Sequence, residues 1–137
     1  MKMKRNDFKL SLSNEKVIEY SVKRLKNKTK NASIKGELVF IIKSKQIKMN
    51  FRFKFKDINV SISGEVERTA DFTNNENITY NVLSELIKED WDVFAQPLFS
   101  KASKIVASLS EEIFIFPLIV PISEWEKNTQ YSIKKST

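Results

Sequence analysis

Residues 94–125, FAQPLFSKASKIVASLSEEIFIFPLIVPISEW, decide how the chain is to be read. Apolar residues Phe94, Leu98, Ala102, Ile105, Leu109 and Ile113 recur at steps of three and four, which predicts a helix with one apolar stripe. Ser100, Lys101, Ser103, Lys104, Ser108 and Glu111 take much of the remaining surface, so the helix is amphipathic and must cover something. It runs into Phe116-Pro117-Leu118-Ile119-Val120-Pro121, where two prolines bracket a short apolar run and end the pattern. Asp92 is the expected cap of this helix. Pro97 fits its first turn only if the start lies nearer Gln96.

Upstream, the chain alternates at period two and predicts strands. Phe8, Leu10 and Leu12 share one face, and Ile18, Tyr20 and Val22 repeat the habit. Leu38-Val39-Phe40-Ile41-Ile42 is apolar on both faces, as expected of a central or partner-covered strand. The clearest strand holds Ile47, Met49, Phe51, Phe53 and Phe55 against Lys48, Asn50, Arg52, Lys54 and Lys56. At Lys56-Asp57 the phase slips by one, so that Ile58, Val60, Ile62, Gly64 and Val66 carry the apolar face. That slip predicts a bend or tight turn near Asp57. Thr69 to Asn77 reads as a polar loop. A short helix follows on Val82, Leu83, Leu86 and Ile87, with Thr79 or Asn77 as its cap.

Composition limits the chemistry. The 137 residues contain no His, no Cys and two Gly, which closes the usual nucleophilic triads, thiolate sites and Gly-rich phosphate loops. Glu85, Glu89, Asp90 and Asp92 cluster, as do Glu111 and Glu112, and both groups read as solvated helix surface. The chain is expected to be non-enzymatic, with no cofactor and no metal. Neither the charged N-terminus nor any apolar run resembles a signal or spanning segment, so a cytoplasmic protein without membrane insertion is expected. Net charge is +7, and residues 1–56 hold seventeen Lys/Arg against four Asp/Glu. Twenty of the basic residues are Lys and four are Arg, which favours a solvated face over bidentate recognition. A basic sheet face of Lys43, Lys45, Lys48, Arg52, Lys54 and Lys56 nevertheless offers an alternative function, binding nucleic acid or an acidic partner.

The sequence of a sheet, a loop, a helix with an early Pro and a Phe-Pro-apolar-Pro segment resembles the SecB family of export chaperones. Small SecB-like proteins of low-GC Gram-positive bacteria are similar in their Ile-Ser-Gly strand, matched by Ile62-Ser63-Gly64, and their Pro-Leu-Phe helix start, matched by Pro97-Leu98-Phe99. The resemblance implies an α+β fold, with a four-stranded or slightly larger antiparallel sheet followed by C-terminal helices packed against it. It also implies one domain over 1–137, with the sheet at about 7–70, helices at about 79–115, a Pro-flanked apolar segment at 116–125 and a polar tail at 126–137. By the same resemblance the protein would be a homo-oligomer, dimer or tetramer, and a chaperone or adaptor holding non-native polypeptide clients in apolar grooves. Phe114, Phe116, Leu118, Ile119, Val120 and Trp125 are the expected client-binding residues. In the export family the outer sheet face is acidic; here Lys48, Arg52, Lys54 and Lys56 would occupy it, which argues against the same motor contact.

Overall fold

The computed structural model describes residues 9–12, 16–24, 33–57, 60–73, 78–112 and 117–136. Strands β1 (Lys9–Leu12), β2 (Lys16–Arg24), β3 (Ser33–Lys43), β4 (Gln46–Asp57) and β5 (Val60–Thr73) come first. Helix α1 (Tyr80–Glu111), helix α2 (Ile122–Asn128) and strand β6 (Thr129–Lys135) follow. β1 and β2 lie one after the other along the same side of β5, and β4, β3 and β6 succeed β5 across the sheet. Every pairing is antiparallel except that of β6, which runs parallel to β3. The fold is α+β as expected, with a sheet that is mixed and larger than four strands.

Alternation explains the sheet. On β4, Ile47, Met49, Phe51, Phe53 and Phe55 are all buried, while the residues between them face away from the helices. Asp57 pairs with Val60, so the phase slip marks a reversal of the chain. A two-residue connection exchanges odd buried positions on β4 for even ones on β5, where Val60, Ile62, Val66, Ala70 and Phe72 are buried. Ile58 and Asn59 lie outside the described residues. β3 reverses into β4 through Ser44 and Lys45, and Ser44 takes a positive φ of 55°, which suits the twist of a tight hairpin. As its apolar run suggested, β3 is internal, between β4 and β6.

Several boundaries differ from the sequence reading. β5 continues through Thr73, so residues 69–73 are strand rather than loop, and Asn74 to Asn77 lie outside the described residues. The two expected helices are both present, and they follow each other within α1 across a kink at Asp90 (φ −126°, ψ 28°). Thr79 caps the first of them, accepting a hydrogen bond from the Val82 amide at 3.3 Å, and Asp92 lies two residues past the kink. Pro97 and the Pro-Leu-Phe motif lie inside α1 instead of at a helix start. The apolar stripe is also turned by about one position. Ala95, Phe99 and Val106 join Leu98, Ala102 and Leu109 at its buried centre, whereas Phe94 and Ile105 sit half-buried at its margin. Ile113 falls outside the described residues.

The polar tail requires the largest correction, because residues 126–137 contain the end of α2 and all of β6. Tyr131 and Ile133 face inward on β6 and pack against the core, and Gln130, Ser132 and Lys134 face outward. Phe40 meets Tyr131 edge-on at 6.0 Å, and Trp91 stacks on Tyr131 at 5.0 Å. Helix and sheet are thus joined by aromatic contacts that include the last strand.

Candidate functional site

Three surfaces contain the residues that could engage a partner. At the β2 edge, Tyr20 pairs with Gly64 and Val22 with Ile62, which puts Tyr20 and Val22 on the same sheet face as the buried core. The helices do not reach them. Tyr20 is 59% exposed, Ile18 41% and Val22 37%. Ile18 occupies an irregularity in the pairing between Val17 and Glu19. The second edge of β2 has no strand partner among the described residues. An apolar rim beside a strand edge is the geometry that accepts an added extended strand.

The Pro-flanked segment divides by burial. Val120 and Trp125 belong to the core, at 4% and 0% exposure, whereas Ile119 stands open at 73% and Leu118 is half-buried. Trp125 meets Phe51 and Phe53 edge-on at 5.9 and 5.4 Å. Its indole N–H donates to Ser103 Oγ at 2.7 Å, and that hydroxyl donates to the Val120 carbonyl at 2.6 Å. Ser110 Oγ accepts from the Leu118 amide at 2.7 Å. The segment is therefore bound to α1 through its backbone and its tryptophan, which leaves Ile119, with the partly exposed Ile122 beyond it, as the accessible apolar groups. Phe114 and Phe116 lie outside the described residues.

The outer face of the sheet holds the expected basic residues in three environments. Arg52 Nε donates to Glu65 Oε1 at 3.0 Å, and Asn50 Nδ2 donates to the same oxygen at 2.9 Å. Asn50 and Arg52, in that order, hold the Glu65 carboxyl below the usual carboxylate range, and Glu65 raises Arg52 further. Lys48 pairs with Glu67 at 3.0 Å. Lys43 and Lys45 lie at the opposite end of the sheet, exposed at the β3–β4 turn. Lys54 and Lys56 belong to a different grouping that the sequence did not reveal, since its other members come from β2 and β3. Register places Ser33, Lys56, Ser61 and Lys23 in one cross-strand row and Lys35, Lys54, Ser63 and Ser21 in the next. The row after that reads Gln130, Glu37, Arg52, Glu65 and Glu19.

A wide open trough of about 1180 Å³ crosses the sheet over the latter two rows. Lys35 and Lys54 line one side, Glu37 and Glu65 the other, and Lys127 of α2 reaches its rim. Among the described residues no cluster of His, Cys, Asp or Glu is arranged to hold a metal ion. No helix is long and apolar enough to cross a membrane.

No family model matches the chain, and no curated protein matches it. Among solved structures, the fold is similar to that of Mycobacterium tuberculosis Rv1957, a SecB-like chaperone in complex with a ChAD peptide from the Rv1956 HigA1 antitoxin. The TM-score is 0.65 at 10% sequence identity, over 82% of this chain and 86% of that one. A protein of unknown function from Streptococcus agalactiae aligns at a TM-score of 0.44 and 12% identity, over 83% of this chain and 98% of that one. At such identities the likeness to Rv1957 is one of fold: the chain has a SecB-like fold.

Proposed function

We propose that this chain is a SecB-like polypeptide-binding protein, a chaperone or client-binding adaptor that holds non-native segments against apolar side chains left uncovered by its helices. The observation that carries this reading is the β2 rim, where Ile18, Tyr20 and Val22 stand exposed beside a strand edge that has no strand partner among the described residues. An extended client could add main-chain hydrogen bonds there and place alternate side chains against the rim. Ile119 and Leu118 would extend the contact on the Pro-flanked segment. The likeness in fold to a SecB-like chaperone whose structure includes a peptide from another protein supports the reading. It extends to a single non-enzymatic cytoplasmic domain over 1–137 that assembles into dimers or tetramers, and to kinship with the small SecB-like proteins of low-GC Gram-positive bacteria. The charge of its outer sheet face separates it from the export motor contact.

Aggregation of a chemically unfolded protein, followed by light scattering with increasing amounts of this chain, tests the proposal. Suppression near stoichiometric ratios is expected, and Tyr20→Ser with Val22→Ser should abolish it. Both side chains are exposed, so the melting temperature should change little. Absence of protection by the unaltered chain, or full protection by the double variant, would overturn the assignment to this rim.

A further inference from the structure

The outer sheet face contains a second surface whose chemistry differs from that of the apolar rim. In the two rows nearest the β4–β5 turn, every outward position is Lys or Ser. Lys56 stands between Ser33 and Ser61 with Lys23 beyond, and Lys54 stands between Lys35 and Ser63 with Ser21 beyond. The Ser21 and Ser63 hydroxyls are hydrogen-bonded to each other at 2.9 Å. Lys23, Lys35 and Lys54 are exposed and Lys56 is half-buried. None of the four has an ion-pair partner among the described residues, in contrast to Arg52 in the next row and Lys48 two rows beyond it, which are bound to Glu65 and Glu67.

This distribution carries an energetic implication. Lys35 and Lys54 are directly opposed in register, and like charges so placed destabilise a sheet. Within their own row only serines flank the pair, whereas the carboxylates of the adjacent row are already engaged with Arg52 or face the other side of the trough. An external carboxylate seated between the two ammonium groups would relieve the repulsion and would find serine hydroxyls within the same rows. We infer that the trough is a docking surface for an acidic, extended segment of a partner polypeptide, with the partner's carboxylates on the Lys/Ser side.

The other side of the trough decides between classes of polyanion. Glu37, Glu65 and Glu19 lie one row away, roughly 7 Å along the strands, which is less than a Debye length of about 8 Å at physiological salt. A nucleic-acid strand carries charge along its whole length and would have to pass this carboxylate row. A peptide can place acidic side chains on one flank and neutral or basic ones on the other. The preponderance of Lys suits point-charge contacts with carboxylates and lacks the fork that Arg offers to phosphates and bases.

Fluorescence anisotropy with the full chain tests this. The probes are a labelled peptide with acidic residues on one flank and a labelled single-stranded oligonucleotide of equal charge. The proteins are the unaltered chain, Lys35→Glu with Lys54→Glu, and Lys43→Glu with Lys45→Glu, which changes net charge equally at the far end of the sheet. Peptide binding should fall by about tenfold or more in the first variant and remain within about twofold of the original in the second. Thermal melts confirm that each variant folds, and Lys35→Gln with Lys54→Gln gives a milder version if the reversal does not. The inference is overturned if both reversals weaken the peptide alike, if neither does, or if the oligonucleotide binds more tightly than the peptide.

Discussion

Glu65 accepts two hydrogen bonds on a single carboxylate oxygen, one from Asn50 and one from Arg52. Both favour the ionised form, so its folded pKa is depressed. A depressed carboxylate contributes stability that is complete above its unfolded pKa and is lost as pH falls through the folded value. Glu65→Gln should therefore lower stability at neutral pH and remove part of the decline below the ordinary carboxylate range. Urea melts of both proteins across the acid range would show converging curves; parallel ones would mean that Glu65 contributes nothing specific. At this same scale the glycines were partly legible. A glycine within a strand announces close approach, and both glycines of the chain flank Phe53 in one cross-strand row. A Cβ at Gly64 would come within 2.6 Å of the Phe53 ring, and one at Gly36 within 2.7 Å of Phe51. What the sequence could not reveal is that Gly36 also faces Thr129, because that contact depends on a strand ninety residues away pairing in parallel.

Elements were legible where their periodicity was strong and obscured where one residue type served two roles. β4 is unmistakable because five large apolar residues alternate with polar ones. β6 contributes only Tyr131 and Ile133 to the core amid Thr, Gln, Ser and Lys, too weak a pattern to distinguish from a solvated tail. On α1, Ser100, Ser103 and Ser108 read as exposed surface, yet Ser103 links the helix to the returning chain, and Ser110, which the pattern left unassigned, is fully buried. A serine signals nothing about burial until its partners are known. Ser103→Ala would leave the Trp125 indole N–H and the Val120 carbonyl without their hydroxyl partner. Its expected cost is on the order of 1–3 kcal/mol, as for a buried polar group left unsatisfied. Denaturant unfolding should show that loss, and Trp125→Phe should reduce the further penalty of Ser103→Ala because it removes the orphaned donor. A Ser103→Ala protein within about 0.5 kcal/mol of the original, inside the range of ordinary surface changes, would show that this link does not hold α2 in place.

For the whole molecule, the linear separation of charge proved a poor guide to the folded surface. The basic first 56 residues and the more acidic remainder suggested a cationic face, but β5 brings Glu65 and Glu67 from the second part alongside Arg52 and Lys48 from the first. Cationic charge survives as a local Lys/Ser grouping, on the face opposite the apolar rim. The two proposed binding modes, on two faces, should respond differently to salt. Contacts between exposed charges weaken as the Debye length shrinks from about 10 Å at 0.1 M to about 3 Å at 1 M, whereas burial of apolar surface does not depend on that length. An acidic peptide and an unfolded client should accordingly bind at the same time. Excess client should leave peptide anisotropy unchanged at low salt, and raising the salt should release the peptide while client remains bound in a light-scattering mass measurement. Displacement of the peptide by client at low salt would contradict the separation of the two surfaces, because an occupant of the rim at Tyr20 and Val22 would then be reaching the trough as well.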